Sequence, residues 1–119
     1  VHLQDYAIVG GCSASHQFCT VGKHAMVGGM TKIRQDVPPF MLCDMVEGAM
    51  KVIGVNVVGL TRRGFAKDVI LALKEAHRFI YREHLNRSQA LDRVEHDIDP
   101  IPEVAELVAF YRNSQRGVA

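Results

Sequence analysis

Residues Leu3 to Pro38 read as six consecutive hexapeptides in one register: LQDYAI, VGGCSA, SHQFCT, VGKHAM, VGGMTK and IRQDVP. A six-residue period is typical of a parallel β-helix, in which three units make one triangular coil. The segment therefore predicts roughly two coils of a prism. Side chains at the opening positions would point into this prism, and all but the serine are aliphatic: Leu3, Val9, Ser15, Val21, Val27 and Ile33.

The second position of each hexapeptide is expected at a corner of the prism. Three of these positions are glycine, at Gly10, Gly22 and Gly28. Since glycine adopts backbone conformations that other residues avoid, we expect these glycines to permit the tight corner turns.

The chain after the repeat divides into two further stretches. Pro38 and Pro39 end the repeat, because proline has no N–H to donate to a neighbouring strand. Residues 40–61 are apolar and dotted with glycine, without a clean period of two or of a helix, which predicts an irregular connector packed on the prism. The predicted units are therefore the coils at 1–39, this connector, and a C-terminal helical domain at 62–119.

From Phe65 onward the apolar residues recur at three- and four-residue steps, which predicts an amphipathic helix. A second helix is expected after Asn86, whose side chain is a good N-cap, and it ends before Pro100. A third opens at Pro102, where the missing N–H costs nothing. Short connections between them predict a compact helical bundle beside the end of the prism.

Composition narrows the class of protein. The chain has 119 residues, is 48% hydrophobic and carries a formal net charge of +1, so it has no general attraction for nucleic acid or for an anionic membrane. No apolar run approaches the ~18 residues that cross a bilayer, which argues against stable membrane insertion. The cysteines are odd in number (Cys12, Cys19 and Cys43) and no secretory leader is apparent, so we expect a reducing cytoplasm.

Four motifs extend the interpretation beyond the hexapeptide class. They are VGGCSASHQFCTVGKHAMVGG at 9–29, QDVPPF at 35–40, VNVVGLTRRGF at 55–65 and SQRGVA at 114–119. In this order and approximate spacing they resemble the C-terminal part of the acyl carrier protein-dependent UDP-N-acetylglucosamine O-acyltransferases of lipid A biosynthesis. The resemblance covers nearly the whole chain. It implies the last coils of a left-handed parallel β-helix followed by a small helical bundle.

The resemblance also implies an activity. Members of this family move a 3-hydroxyacyl chain from acyl carrier protein to the 3-hydroxyl of UDP-N-acetylglucosamine, the first step of lipid A biosynthesis. They act in the cytoplasm as homotrimers, with the active site between protomers. No cofactor of the enzyme itself is implied, since the donor acyl group travels on the phosphopantetheine of acyl carrier protein.

The resemblance assigns substrate-binding roles to residues in two of the motifs. His16 and Gln17 match the pair that contacts the sugar nucleotide, while Asn56, Arg62 and Arg63 match its nucleotide contacts. Guanidinium groups bind phosphate through two parallel hydrogen bonds and keep their charge, so adjacent arginines suit a diphosphate. Without the motifs, His16 would be a solvated corner histidine and the arginines a solvated basic pair.

The acyl pocket is implied at Gly29, where the family limits the length of the acyl chain and glycine would leave room for a longer one. His24 is a further candidate for this pocket. The alternative for Gly29 is a turn glycine without a ligand. Metal binding is not expected, because His16, Cys19 and His24 lack the spacing of a metal site.

The chain departs from the family pattern in three respects. The family's general base is a histidine in a coil that would lie upstream of Val1, so no catalytic residue is assigned to this chain. Val58 stands where the family often has an acidic residue. The stretch MLCDMVEGAMKVIG at 41–54 replaces a turn with Gln-Gly-Asn and is about two residues longer.

These departures leave two alternatives to part of an acyltransferase. The chain could be a noncatalytic module that binds a nucleotide sugar or a carrier protein, or that caps a trimer. It could also be a diverged paralogue with an altered acceptor.

Overall fold

The fold begins with a triangular prism of short parallel strands. The computed structural model describes residues 1–11 and 13–119, and Cys12 lies outside them. The six strands of the prism are β1 (His2–Leu3), β2 (Ile8–Val9), β3 (Ala14–Ser15), β4 (Thr20–Val21), β5 (Met26–Val27) and β6 (Lys32–Ile33). β1 pairs in parallel with β4, β2 with β5 and β3 with β6. This pairing confirms the predicted β-helical coils, with each strand paired to the strand three hexapeptides later.

The prism has three corners, which we number by their place in each coil. The first corner lies between β1 and β2, and in the second coil between β4 and β5. The second corner lies between β2 and β3, and in the second coil between β5 and β6. The third corner lies between β3 and β4, and in the second coil it follows β6.

The predicted inward positions are buried in the second coil. Val21, Val27 and Ile33 are at most 2% exposed, whereas Leu3 in the first coil is 53% exposed. The first coil ends the prism in this chain, so its inward side chains have neighbours on one side alone. The hexapeptide pattern therefore predicted side-chain direction correctly.

The expected reason for the corner glycines is wrong. In the described coils, positive φ occurs at the fourth hexapeptide position instead, in Tyr6, Phe18, His24 and Met30. Gly10 and Gly22 do not have positive φ. They are required by close contact instead, because a Cβ on Gly22 would lie 2.4 Å from the backbone nitrogen of Pro39, and one on Gly10 would lie 2.5 Å from that of Gly29.

The predicted irregular connector is also wrong, because most of it is an ordered hairpin. β7 (Met41–Val46) and β8 (Ala49–Val55) pair antiparallel, and β7 pairs in parallel with β5, so the hairpin extends one face of the prism. A register shift between Leu42 and Cys43 interrupts the alternation, which hid the strand from a period-two search. Glu47 and Gly48 form the turn, with φ of 51° and 82°. The boundaries at residues 39 and 61 remain a prediction.

Within the described ranges four helices follow: α1 (Val57–Arg62), α2 (Lys67–Tyr81), α3 (Arg87–Asp97) and α4 (Pro102–Asn113). The last three confirm the predicted helices. Asn86 caps α3 in a reciprocal capping box with Gln89, and α4 opens on Pro102. α1 was not predicted, since six residues are too few to display a helical period. No helix in the described part of the chain is long and apolar enough to cross a membrane.

The C-terminal segment returns to the prism and fastens the helices to it. The backbone N–H of Asp36 donates to the carbonyl of Gly117 at 3.0 Å, and the N–H of Ala119 donates to the carbonyl of Asp36 at 2.9 Å. The buried carboxylate of Asp36 accepts from the backbone N–H of Thr20 at 2.8 Å and the hydroxyl of Ser114 at 2.6 Å. These bonds hold the bundle at a fixed place on the prism.

Candidate functional site

Three aromatic side chains stack along the first corner of the prism, in what we call the aromatic ladder (Tyr6, His24 and Phe40). The ring centroids of Tyr6 and His24 lie 4.8 Å apart at 21° between planes, and those of His24 and Phe40 lie 6.1 Å apart at 16°. All three residues have left-handed backbone, with φ of 60°, 58° and 66°. The shared conformation gives successive coils the same side-chain direction, so the rings stack.

Asn56 joins the aromatic ladder to the first helix. Its side-chain amide donates to the backbone carbonyl of His24 at 3.0 Å, while its carbonyl oxygen accepts from the backbone N–H of Gly59 at 3.2 Å and so caps α1. The residue is only 7% exposed. A single buried side chain therefore sets where α1 begins relative to the ladder.

The two arginines of the sequence motif lie at the other end of α1. Arg62 ends the helix and Arg63 is its C-cap, and both are exposed. The guanidinium carbon of Arg63 lies 4.3 Å from the centre of the Tyr6 ring. Within residues 1–11 and 13–119, neither arginine forms a salt bridge with a carboxylate. Their charge is therefore available to an anion.

The pKa of His24 lies below its ordinary value at this corner. Burial lowers its pKa, the charges of Lys23 and Arg63 lower it further, and Asp5 opposes them. Its ring meets the edge of Phe65, with centroids 4.8 Å apart. Arg63 and Lys23 thus supply positive charge at this corner while the histidine packs between rings.

The other residues predicted for the site lie at other corners. His16 and Gln17 are exposed at the third corner, where His16 borders a shallow depression with Lys32 and Arg34. Gly29 is exposed at the second corner, so this chain does not bring it beside His24. One chain therefore unites Asn56, His24 and Arg63, whereas His16 and Gly29 lie at its other corners.

Sequence reasoning missed Tyr6, which contacts both His24 and Arg63. A signal was present, because Tyr6 and His24 occupy the same hexapeptide position one coil apart and must lie above one another in a β-helix.

A cysteine nucleophile is not supported by the described thiols. Burial and the neighbouring Asp44 raise the pKa of Cys43 to about 12, and Cys19 is buried as well. Among the residues that the structure describes, no three His, Cys, Asp or Glu side chains group as metal ligands.

Comparison with known proteins agrees with this architecture. Residues 36–119 match the family described as UDP N-acetylglucosamine O-acyltransferase, domain 2. Curated relatives named acyl-[acyl-carrier-protein]–UDP-N-acetylglucosamine O-acyltransferase include one from Aliivibrio salmonicida, 39% identical over 119 residues, and one from an Anaeromyxobacter species, 36% identical over 118 residues. The aligned regions cover 99% of this chain in both cases, and 44% and 45% of those relatives.

Solved structures give the same result. A UDP-N-acetylglucosamine acyltransferase from Bacteroides fragilis superposes with a TM-score of 0.94 at 37% identity, covering 98% of this chain and 45% of that one. The corresponding protein from Acinetobacter baumannii gives a TM-score of 0.91 at 34% identity, covering 99% and 45%. The chain thus spans less than half the length of these relatives.

Proposed function

The chain belongs to the UDP-N-acetylglucosamine O-acyltransferase family, and on that premise we propose that it is part of an enzyme acting on a nucleotide sugar. The proposed reaction moves a 3-hydroxyacyl chain from acyl carrier protein to the 3-hydroxyl of UDP-N-acetylglucosamine in the cytoplasm. The observation that carries this proposal is the guanidinium of Arg63, which forms no salt bridge with the described residues and lies over Tyr6 at the corner that also contains Asn56 and His24.

We assign the diphosphate of the nucleotide sugar to Arg63, with Arg62 as a second cation. A guanidinium offers two parallel N–H donors that match two phosphate oxygens, and its charge is independent of pH in the working range. Asn56 is a less direct contributor, because its amide and carbonyl already bond to His24 and Gly59. It would position the corner rather than contact the nucleotide.

His16 and Gln17 would contact the sugar nucleotide from a neighbouring protomer of a homotrimer. Their exposure at a corner remote from Arg63 supports this division of the site between copies. Gly29 would border the acyl chain at the second corner, where its missing side chain leaves room. His24 is a weaker candidate for the acyl pocket, since its ring is enclosed by Tyr6 and Phe65.

Transfer to a hydroxyl needs a base to take its proton and donors for the oxyanion that forms. We assign the base to a coil outside residues 1–119. The buried histidines support this assignment, because His24 packs between rings, and His77 is buried on the inner side of α2 with its ring centroid 5.1 Å from that of Tyr81. This chain would supply binding of the nucleotide and positioning of the acyl group.

The test is titration calorimetry of the full-length protein with UDP-N-acetylglucosamine. Arg63→Ala should weaken binding about 10- to 100-fold, since a hydrogen bond to a charged group contributes about 1.5–3 kcal/mol. Arg116→Ala is the matched control, because Arg116 is an exposed arginine of the C-terminal segment, and binding should stay unchanged. Equal affinity of the Arg63→Ala variant and the unaltered protein would contradict the proposal.

Turnover separates the acyltransferase from its alternatives. The full-length protein should convert 3-hydroxyacyl carrier protein and UDP-N-acetylglucosamine to the acylated sugar nucleotide, and residues 1–119 alone should not. Binding without turnover by the full-length protein would favour a noncatalytic module. Turnover with a different acceptor would favour a diverged paralogue.

A further inference from the structure

We propose that Tyr6 is a positioning residue for Arg63, whose guanidinium it holds in the orientation that binds the diphosphate of a nucleotide sugar. The inference rests on the proposed nucleotide-binding function and adds a residue to it. Tyr6 lies 57 positions before Arg63 in the chain, and the guanidinium carbon of Arg63 is 4.3 Å from the centre of its ring.

The position of the Arg63 guanidinium over the Tyr6 ring, 4.3 Å from its centre, is compatible with binding of a phosphate. A guanidinium that lies over an aromatic ring uses its flat face for the contact. Its five N–H donors point outward in the guanidinium plane, and these are the groups that form paired hydrogen bonds with phosphate. Since no carboxylate of the described residues forms a salt bridge with Arg63, the ring supports the charge without occupying its donors.

Both members of the pair are fixed by the same buried side chain. Tyr6 stacks on His24, whose backbone carbonyl accepts a hydrogen bond from Asn56. Asn56 also caps α1, and the backbone N–H of Arg63 closes that helix by donating to the carbonyls of Gly59 and Leu60, both at 3.2 Å. The ring and the guanidinium are therefore set relative to one another by a continuous path of contacts.

Such support raises affinity by reducing the conformational freedom that the arginine loses on binding. A long exposed side chain populates many rotamers, and ordering it opposes association. The Tyr6 ring orders it before the ligand arrives. Tyr6 is itself 55% exposed, so its removal should affect Arg63 more than the core.

The experiment is a double-mutant cycle measured by calorimetry on the full-length protein with UDP-N-acetylglucosamine. Tyr6→Leu should weaken binding about three- to fivefold, the range of an exposed cation–π contact. Tyr6→Phe keeps the aromatic ring, so its affinity should stay within about twofold of that of the unaltered protein. In the Arg63→Ala background, Tyr6→Leu should cause no further loss, because the residue acts through the arginine.

Several outcomes would overturn the positioning role. An equal loss from Tyr6→Leu in both backgrounds would mean that Tyr6 acts independently of Arg63, and unchanged affinity in Tyr6→Leu would mean that it does not act. If Tyr6→Phe binds as weakly as Tyr6→Leu, the hydroxyl of Tyr6 and not its ring is responsible for the effect. If Arg63→Ala leaves affinity for the nucleotide sugar unchanged, the proposed nucleotide site and this inference both fail. If Arg63→Ala weakens binding but the effect of Tyr6→Leu does not depend on Arg63, only the positioning role is rejected.

Discussion

The first and third corners of the prism arise from the same repeat but are built differently. At the first corner, Tyr6 and His24 stack on each other, and Arg63, the C-cap of α1, places its guanidinium over the Tyr6 ring. At the third corner, Phe18 takes the same left-handed conformation as His24 yet is 74% exposed. One coil later this corner carries Asp36, which bonds to Thr20 and Ser114.

The difference shows what a repeat does and does not determine. The hexapeptide gives Tyr6, Phe18, His24 and Met30 the same left-handed backbone, whereas the segments packed outside the prism decide which corner is supported within one chain. Residues of the first corner are ordered by this chain's own α1. His16 and Gln17 at the third corner are exposed, and in our proposal they act on a site shared with another copy.

The largest expected effect concerns the close packing of the first corner. In Gly22→Ala the new Cβ would meet the backbone nitrogen of Pro39 at 2.4 Å, and backbone cannot rotate away. We expect a loss of about 3 kcal/mol in the free energy of unfolding, measured by urea denaturation. The matched variant Gly11→Ala has nothing within 4 Å and should change it by less than about 0.5 kcal/mol. Similar losses in the two variants would contradict this account of the corner.

Asn56→Ala should have the next largest effect, because it removes the cap of α1 and leaves the carbonyl of His24 unpaired. The expected loss of unfolding free energy is about 2 kcal/mol. The comparison variant is Gln17→Ala at the third corner, whose exposed side chain should contribute less than about 0.5 kcal/mol. Equal stability of the two variants would show that Asn56 does not support the first corner.

A smaller effect is expected from pH. Burial lowers the pKa of both His24 and His77. The charges of Lys23 and Arg63 lower the pKa of His24 further, and the charge of Arg82 does the same for His77. Below the ordinary value of about 6.5, the unfolded chain therefore binds more protons than the folded one. The free energy of unfolding should fall as the pH is lowered from 7.5 to 5.5.

Urea denaturation across this range checks the prediction. His24→Gln and His77→Gln should each reduce the dependence on pH, because each removes one group whose protonation favours the unfolded chain. If both variants retain the full dependence, the buried histidines are not its source.

The smallest effect on stability, with a measurable effect on binding, is expected at the third corner. Gln17→Ala should leave folding unchanged while weakening UDP-N-acetylglucosamine binding about fivefold, as for the loss of one hydrogen bond. Calorimetry should be done at protein concentrations at which the chains associate and at lower concentrations at which they are separate. The Gln17→Ala variant should bind more weakly than the unaltered protein only when the chains are associated. A loss that persists in the dissociated chain would contradict the sharing of the site between copies.

The sequence predicted the elements whose signal is local and periodic. Inward residues such as Val27 and Ile33 follow from the hexapeptide register, and the capping box at Asn86 marks a helix within a few residues. The hairpin escaped because its bulge, where Ile53 of β8 has no partner opposite Leu42 and Cys43, breaks the alternation on which strand prediction depends.

The candidate site was predicted in part. Asn56 and Arg63 belong to one sequence motif, so the sequence alone predicted that they lie near each other, although it did not predict the helix between them. The contact between Arg63 and Tyr6 could not be predicted from the sequence. It depends on where α1 packs against the first corner, and no local sequence pattern encodes that position. The burial of His24 in the aromatic ladder likewise required knowing which coil lies above which.

A crystal structure of the full-length protein with UDP-N-acetylglucosamine tests the central claim most directly. We expect the diphosphate at the first corner, with guanidinium nitrogens of Arg63 within about 3.2 Å of phosphate oxygens and the guanidinium still over Tyr6. A diphosphate bound away from this corner, for example beside Lys32 and Arg34, with Arg63 free of the ligand, would contradict it.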